Sequence, residues 1–127
     1  MRRQNVRFTS WFVTAVITVC GIATLAPRVA WAHAVLVSAQ PAENSTVAGP
    51  DVAVLLKYNS RVDIEHSTLT LLAPSGKVGK VSIGSQPVPG LLSAKLTGLV
   101  KGAYELRWQV LAIDGHVTRG KVLFQIK

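Results

Sequence analysis

Beyond residue 32 the sequence predicts an all-β fold, and three observations carry that prediction. Apolar and polar residues alternate over short runs, with the period of two that a sheet buried on one face requires. Gly, Pro, Ser and Asn punctuate those runs. No helical period persists over the same stretch.

The elements follow in order. Ala34–Val37 reads as a first strand, stopped by Pro41 and the polar turn Glu43-Asn44-Ser45. Val52, Val54, Leu56 and Tyr58 alternate along a second, with Lys57 on the opposite face. Thr68–Leu72 gives a third, ended by Ala73-Pro74-Ser75-Gly76. A weaker strand is expected over Val78–Ile83. Gly84–Gly90 contains Pro87 and Pro89, which cannot donate to a ladder, so it reads as loop or edge. Leu91–Leu96 resumes the extended pattern, and Gly102 closes a turn before the strongest strand of all. There Tyr104, Leu106, Trp108 and Val110 point one way, and Glu105, Arg107 and Gln109 the other. The last strand sets Val122, Phe124 and Ile126 against Lys121, Gln125 and Lys127. About seven strands in fewer than 100 residues predict an immunoglobulin-like Greek-key β-sandwich, with Trp108 as a core anchor.

Residues 1–32 read differently, as a secretory signal peptide with a helical apolar segment. Arg2, Arg3 and Arg7 form a positive n-region, and Trp11 to Leu25 is uncharged, mostly apolar and short for a membrane span. Ala30-Trp31-Ala32 puts small residues at the two positions a signal peptidase reads, so cleavage is expected between Ala32 and His33. An uncleaved anchor helix is the alternative. Two arginines near a start are common, so Arg2-Arg3 does not establish twin-arginine export. The expected organisation is a leader over 1–32 and one exported β-sandwich domain over 33–127, in the periplasm.

Cleavage changes the charge. Four of the fourteen basic residues leave with the leader while all six acidic residues stay, so ten against six lowers the net charge from +8 to +4. The remaining Lys and Arg residues are scattered, without interleaved aromatics, and no nucleic-acid partner is expected. Cys20 and Met1 also depart, which leaves the exported chain without sulfur. It can form no disulfide, and no thiolate or thioether is available to a soft metal.

Three features carry chemistry: His33 at the expected new N-terminus, the triplet Asp114-Gly115-His116, and His66. Each has an ordinary reading. A His after a cleavage point can be incidental, Asp-Gly is a hairpin turn signal, and His66 opens a polar strand face with Thr68 and Thr70. Together they offer more. An N-terminal His supplies its α-amine and its Nδ1, which can close a chelate ring on one metal. Asp114 and His116 are two apart, so in an extended segment both project to one side, and Gly115 between them permits a sharp bend. An amine, two imidazoles and a carboxylate suit tetragonal Cu(II), which heads the affinity order of the divalent first-row metals. Zinc can use the same donors tetrahedrally. Sulfur-free ligation argues against Cu(I).

These residues also resemble a family. His33-Ala34-x-Leu36, followed by Pro41-Ala42, is similar to the mature start of the CopC-type periplasmic copper-resistance proteins. Gly102-Ala103-Tyr104-x-x-x-Trp108-x-Val110-x-x-x-Asp114-Gly115-His116, followed by Gly120 and Phe124, is similar to their C-terminal half. The resemblance implies a β-sandwich binding one copper(II) ion through His33, Asp114 and His116, with a membrane copper permease of the CopD type as partner. Two departures stand out. Some members hold Cu(I) in a methionine-rich segment, and this exported chain has no Met. Some carry an acidic residue near the end of the second strand, where this chain reads Asn59-Ser60. His66 matches no role in that pattern.

The expected function is therefore binding: an exported protein that sequesters or carries copper(II), and not an enzyme. An N-terminal His with a second His on a β-sandwich also resembles the copper brace of polysaccharide monooxygenases. The carboxylate, the small size and the lack of an aromatic substrate surface disfavour that chemistry. A metal-free β-sandwich adaptor is the other alternative.

Overall fold

Strand faces follow the apolar alternation. The computed structural model describes residues 33–127; the expected leader helix and its cleavage site lie outside the described residues. Among the described residues eight strands form: β1 Leu36–Gln40, β2 Ser45–Val47, β3 Val52–Tyr58, β4 Val62–Leu72, β5 Val78–Val81, β6 Leu91–Leu96, β7 Gly102–Ala112 and β8 Val117–Ile126. They make two sheets, β1-β3-β6 and β2-β8-β7-β4-β5. The β3–β4, β5–β6 and β6–β7 connections cross from one sheet to the other, the Greek-key pattern of an immunoglobulin-like sandwich. All neighbours are antiparallel except β2, which runs parallel to β8.

Four boundaries differ from the sequence reading, each for a local reason. The first strand begins at Leu36, not Ala34, because Ala34 packs into the core and Val35 is held by a side chain. Its pairing with β3 then shifts between Leu36 and Ser38. The turn expected at Glu43-Asn44-Ser45 forms at Glu43 and Asn44, where Asn44 adopts a φ of 59° and Ser45 N donates to Ala42 O, but Ser45 already opens an extra strand, β2, beside β8. Three residues are too few to show an alternation, which is why about seven strands were expected. The third expected strand starts six residues early, at Val62, since its register with β7 is broken between Asp63 and Thr68 and the polar run hides it. The weaker strand ends at Val81, and Ile83 adds one isolated bridge to Ala94.

One core lies between the sheets. Val54, Leu56 and Tyr58 of β3 and Leu92 and Leu96 of β6 face Leu69, Tyr104, Leu106, Trp108, Val110, Val122, Phe124 and Ile126 of the larger sheet. Two aromatic contacts organise it. Tyr104 stacks on Phe124 with ring centroids 5.5 Å apart, and its hydroxyl accepts from Val100 N at 2.9 Å and donates to Val100 O at 3.0 Å. This is the tyrosine corner of the fold class. Trp108 meets Tyr58 edge to face at 5.4 Å and lies over Gly120, its partner on β8.

Space, and not backbone conformation, requires glycine at position 120. A Cβ there would come within 2.7 Å of Trp108 Cε2, and the indole is buried and cannot swing away. Gly120→Ala is expected to destabilise the protein by about 1–3 kcal/mol, the usual cost of overpacking a filled core. Urea denaturation followed by Trp108 fluorescence measures this; an unchanged midpoint would show that the indole can yield.

Candidate metal centre

The β7–β8 hairpin turn carries two of the three expected site residues. Ala112 N donates to His116 O at 2.8 Å, and Gly115 N donates to Ala112 O at 2.9 Å, which closes the turn. Gly115 has a φ of +88°, a conformation that favours glycine, so the turn needs it between the two functional residues. The sequence reading set Asp114 and His116 on one side of an extended segment. The structure corrects that mechanism: they lie in the turn, and a carboxylate joins them. Asp114 Oδ1 accepts from His116 N at 3.1 Å, and Asp114 Oδ2 lies 2.8 Å from His116 Nδ1.

His33 reaches the same place from the other end of the chain. Ala34, only 2% exposed, plugs into the core, and its carbonyl accepts from Thr118 Oγ1 at 2.9 Å. Val35 N donates to Asn59 Oδ1 at 2.8 Å, and Asn59 N donates to Val35 O at 3.0 Å. With the next two residues fixed, His33 Nδ1 lies 3.9 Å from Asp114 Oδ2, and its ring meets that of His116 edge-on at 4.5 Å.

One candidate ligand atom from each of His33, Asp114 and His116 lies within 4.8 Å of the others. This is the group of three such side chains that converges among the described residues. Two donors that share an ion at about 2.0–2.2 Å each stand no more than about 4.4 Å apart. The 2.8 and 3.9 Å separations already satisfy that limit, and small rotations suffice for the rest. The donors, two nitrogens and an oxygen, suit a borderline divalent cation. Both imidazoles are 62% exposed and Asp114 only 20%, so an ion has open access while the carboxylate sits beneath the rings. Hydrogen bonds from the His116 backbone N–H, then from its ring, hold the Asp114 carboxyl below the usual carboxylate range. It is therefore anionic wherever the imidazoles are neutral, as ligation requires.

His66 stands apart from this group. It sits in the irregular part of β4, where Asp63 Oδ1 accepts from Glu65 N at 2.9 Å and from His66 N at 3.3 Å, and Oδ2 lies 2.8 Å from His66 Nδ1. The carboxylate raises the His66 imidazole above its ordinary 6.5, chiefly through that hydrogen bond. Two contacts that shape the centre escaped sequence reading: that of Asn59, noted there only as a departure from the family pattern, and that of Thr118. Neither forms a motif with His33, and only the folded chain brings positions so distant in sequence together.

A fold of this kind occurs in known proteins. The CopC domain model matches residues 36–127. Protein YobA of Escherichia coli (strain K12) is 29% identical over 100 residues, covering 76% of this chain and 81% of that protein. Copper resistance protein C of Xanthomonas campestris pv. juglandis is 29% identical over 113 residues, covering 83% of this chain and 88% of that protein. The crystal structure of CopC from Methylosinus trichosporium OB3b superposes with a TM-score of 0.69 at 29% identity, over 75% of this chain and 94% of that one. PcoC, a methionine-rich copper resistance protein from Escherichia coli, shares the fold, with a TM-score of 0.62 at 24% identity over 76% of this chain and all of PcoC. By its sequence match and its fold, this chain belongs to the CopC family.

Proposed function

We propose that this protein binds one copper(II) ion through His33, Asp114 and His116 and sequesters or carries it outside the cytoplasm. The observation that carries this reading is the convergence of those three side chains at an exposed edge of a CopC-family sandwich. Removal of a leader over 1–32 makes the site complete, because cleavage before His33 turns an amide nitrogen into a free amine able to chelate with the His33 ring. Export of this kind leads to the periplasm, and a membrane copper permease is the onward acceptor. Binding, not turnover, is the role: a carboxylate joins the two imidazoles, and no second constellation suited to catalysis occurs among the described residues.

Copper(II) is the favoured ion for two reasons. Residues 33–127 contain neither Cys nor Met, so the soft ligands of Cu(I) are lacking in the exported chain. Nitrogen-rich sites also bind Cu(II) more tightly than the other divalent first-row ions.

Titrating the exported protein with Cu(II) and recording its electron paramagnetic resonance tests this directly. One equivalent is expected to bind with nitrogen superhyperfine structure. His116→Ala is expected to lose at least about 100-fold in affinity, since even outer-shell partners of a ligand are worth about 10–100-fold. Wild-type affinity in that variant would end the proposal.

Acidification should release the ion. Imidazole and amine nitrogens must shed a proton before they ligate, so affinity is expected to fall over the range in which imidazoles protonate, about pH 8 to 5. Asp114, held anionic, is not the group that fails. Affinity independent of pH across that range would argue against histidine ligation.

His66 serves as an internal contrast. Its imidazole is expected to titrate above 6.5 by NMR, with or without copper, and Asp63→Asn should return it towards 6.5. Since folding raises this pKa, the pair stabilises the fold below about pH 6.5 and that contribution is lost as pH rises through the folded value. An unshifted His66 in the wild type would show that the Asp63 contact does not persist in solution.

A further inference from the structure

The exported protein of the proposal faces a physical problem: its first residue is a ligand, and the first residues of a domain are poorly ordered unless tied down. A free N-terminus must lose its backbone freedom when it binds, and that loss weakens affinity. The tie here is short and specific. Ala34 is buried, and Thr118 Oγ1 donates to its carbonyl at 2.9 Å. Next along the chain, Val35 lies opposite Asn59, one step from Leu36↔Tyr58 and cut off from the rest of the ladder by the shift between Leu36 and Ser38. What replaces the ladder at Val35 is a clamp from one residue: Asn59 Oδ1 receives Val35 N–H at 2.8 Å and Asn59 N–H reaches Val35 O at 3.0 Å.

We propose that Asn59 is a positioning residue for the metal-binding N-terminus, acting through Val35 on His33 and not as a ligand itself. This rests on the reading of His33 as a copper ligand. The side chain is suited to the task. Asn59 Oδ1 is committed to the Val35 amide, and the neutral amide brings no charge to the centre. Where a carboxylate at this position could compete for the ion, Asn59 spends its oxygen on the backbone instead. Thr118 acts in the same sense one residue closer to His33, from β8. Two side chains from opposite sheets thus fix the two residues after the terminal ligand.

A double-mutant cycle in the exported protein tests the assignment. Asn59→Ala is expected to lower Cu(II) affinity about two- to tenfold, the range for one lost hydrogen bond. In a His33→Ala background the same substitution should cost clearly less affinity, because the residue it positions has lost its imidazole and keeps only its terminal amine. Asn59→Asp, which keeps an acceptor oxygen, should preserve the Val35 bond and so the exchange protection of the Val35 amide. Thr118→Val should behave as Asn59→Ala does in both backgrounds. Equal losses from Asn59→Ala with and without His33 would overturn the proposal, since a ligand or a general stabiliser would act in both. Hydrogen exchange of the Val35 amide supplies a readout that needs no metal: protection should fall at least several-fold in Asn59→Ala, and unchanged protection would also overturn it. If the wild type bound no copper, the functional reading would fail while the Val35 exchange result still judged the clamp.

Discussion

The register between β7 and β8 is the constraint on which everything else in this molecule rests. Ten consecutive pairs run from Gly102↔Ile126 to Leu111↔Val117. They place Tyr104, Leu106, Trp108 and Val110 on the same face as Phe124, Val122, Gly120 and Thr118, which closes the core. A slip of one residue would turn that whole face to solvent. The contact between Trp108 and Gly120 locks the alignment, because no other residue on β8 leaves room for the indole. The same register decides how much chain remains for the turn. It leaves Ile113 to His116, enough for one tight turn that brings a carboxylate and an imidazole together. Core packing and the metal centre are therefore two readings of a single alignment.

Thr118 joins that alignment to the other end of the chain. It lies on the core-facing side of β8 and donates to Ala34, while Asn59 at the end of β3 holds Val35. The N-terminal segment is thus gripped by both sheets, and His33 is the residue that projects beyond the grip. Burial of Ala34 explains why a small residue follows His33: a larger side chain would push the segment off the core and carry His33 away from Asp114.

Much of this was legible in the sequence, and the exceptions have physical causes. Long alternating runs such as Tyr104–Val110 declare their buried face, and β3, β6, β7 and β8 follow the expected pattern. Segments that depend on a distant partner do not. Ser45–Val47 becomes a strand only because β8 offers an edge, and the polar start of β4 pairs with β7 against its own composition. The same distinction applies to the candidate site. His33, Asp114 and His116 could be named from chemistry and spacing, yet the carboxylate clamp that joins two of them belongs to turn geometry. Asn59 and Thr118 left no trace in any local motif, since their partners stand 24 and 84 residues away.

Asp114 has a consequence for how the turn holds its shape. The turn is closed by bonds within the chain: Ala112 to His116, Gly115 to Ala112, and the carboxylate to the backbone N and the ring Nδ1 of His116. None of these passes through an ion, unlike a zinc finger, whose fold is created by its metal. Surrendering the ion costs the hairpin no structural bond, because Oδ2 can return to the ring nitrogen 2.8 Å away. A turn closed this way keeps its hydrogen bonds whether or not an ion is bound.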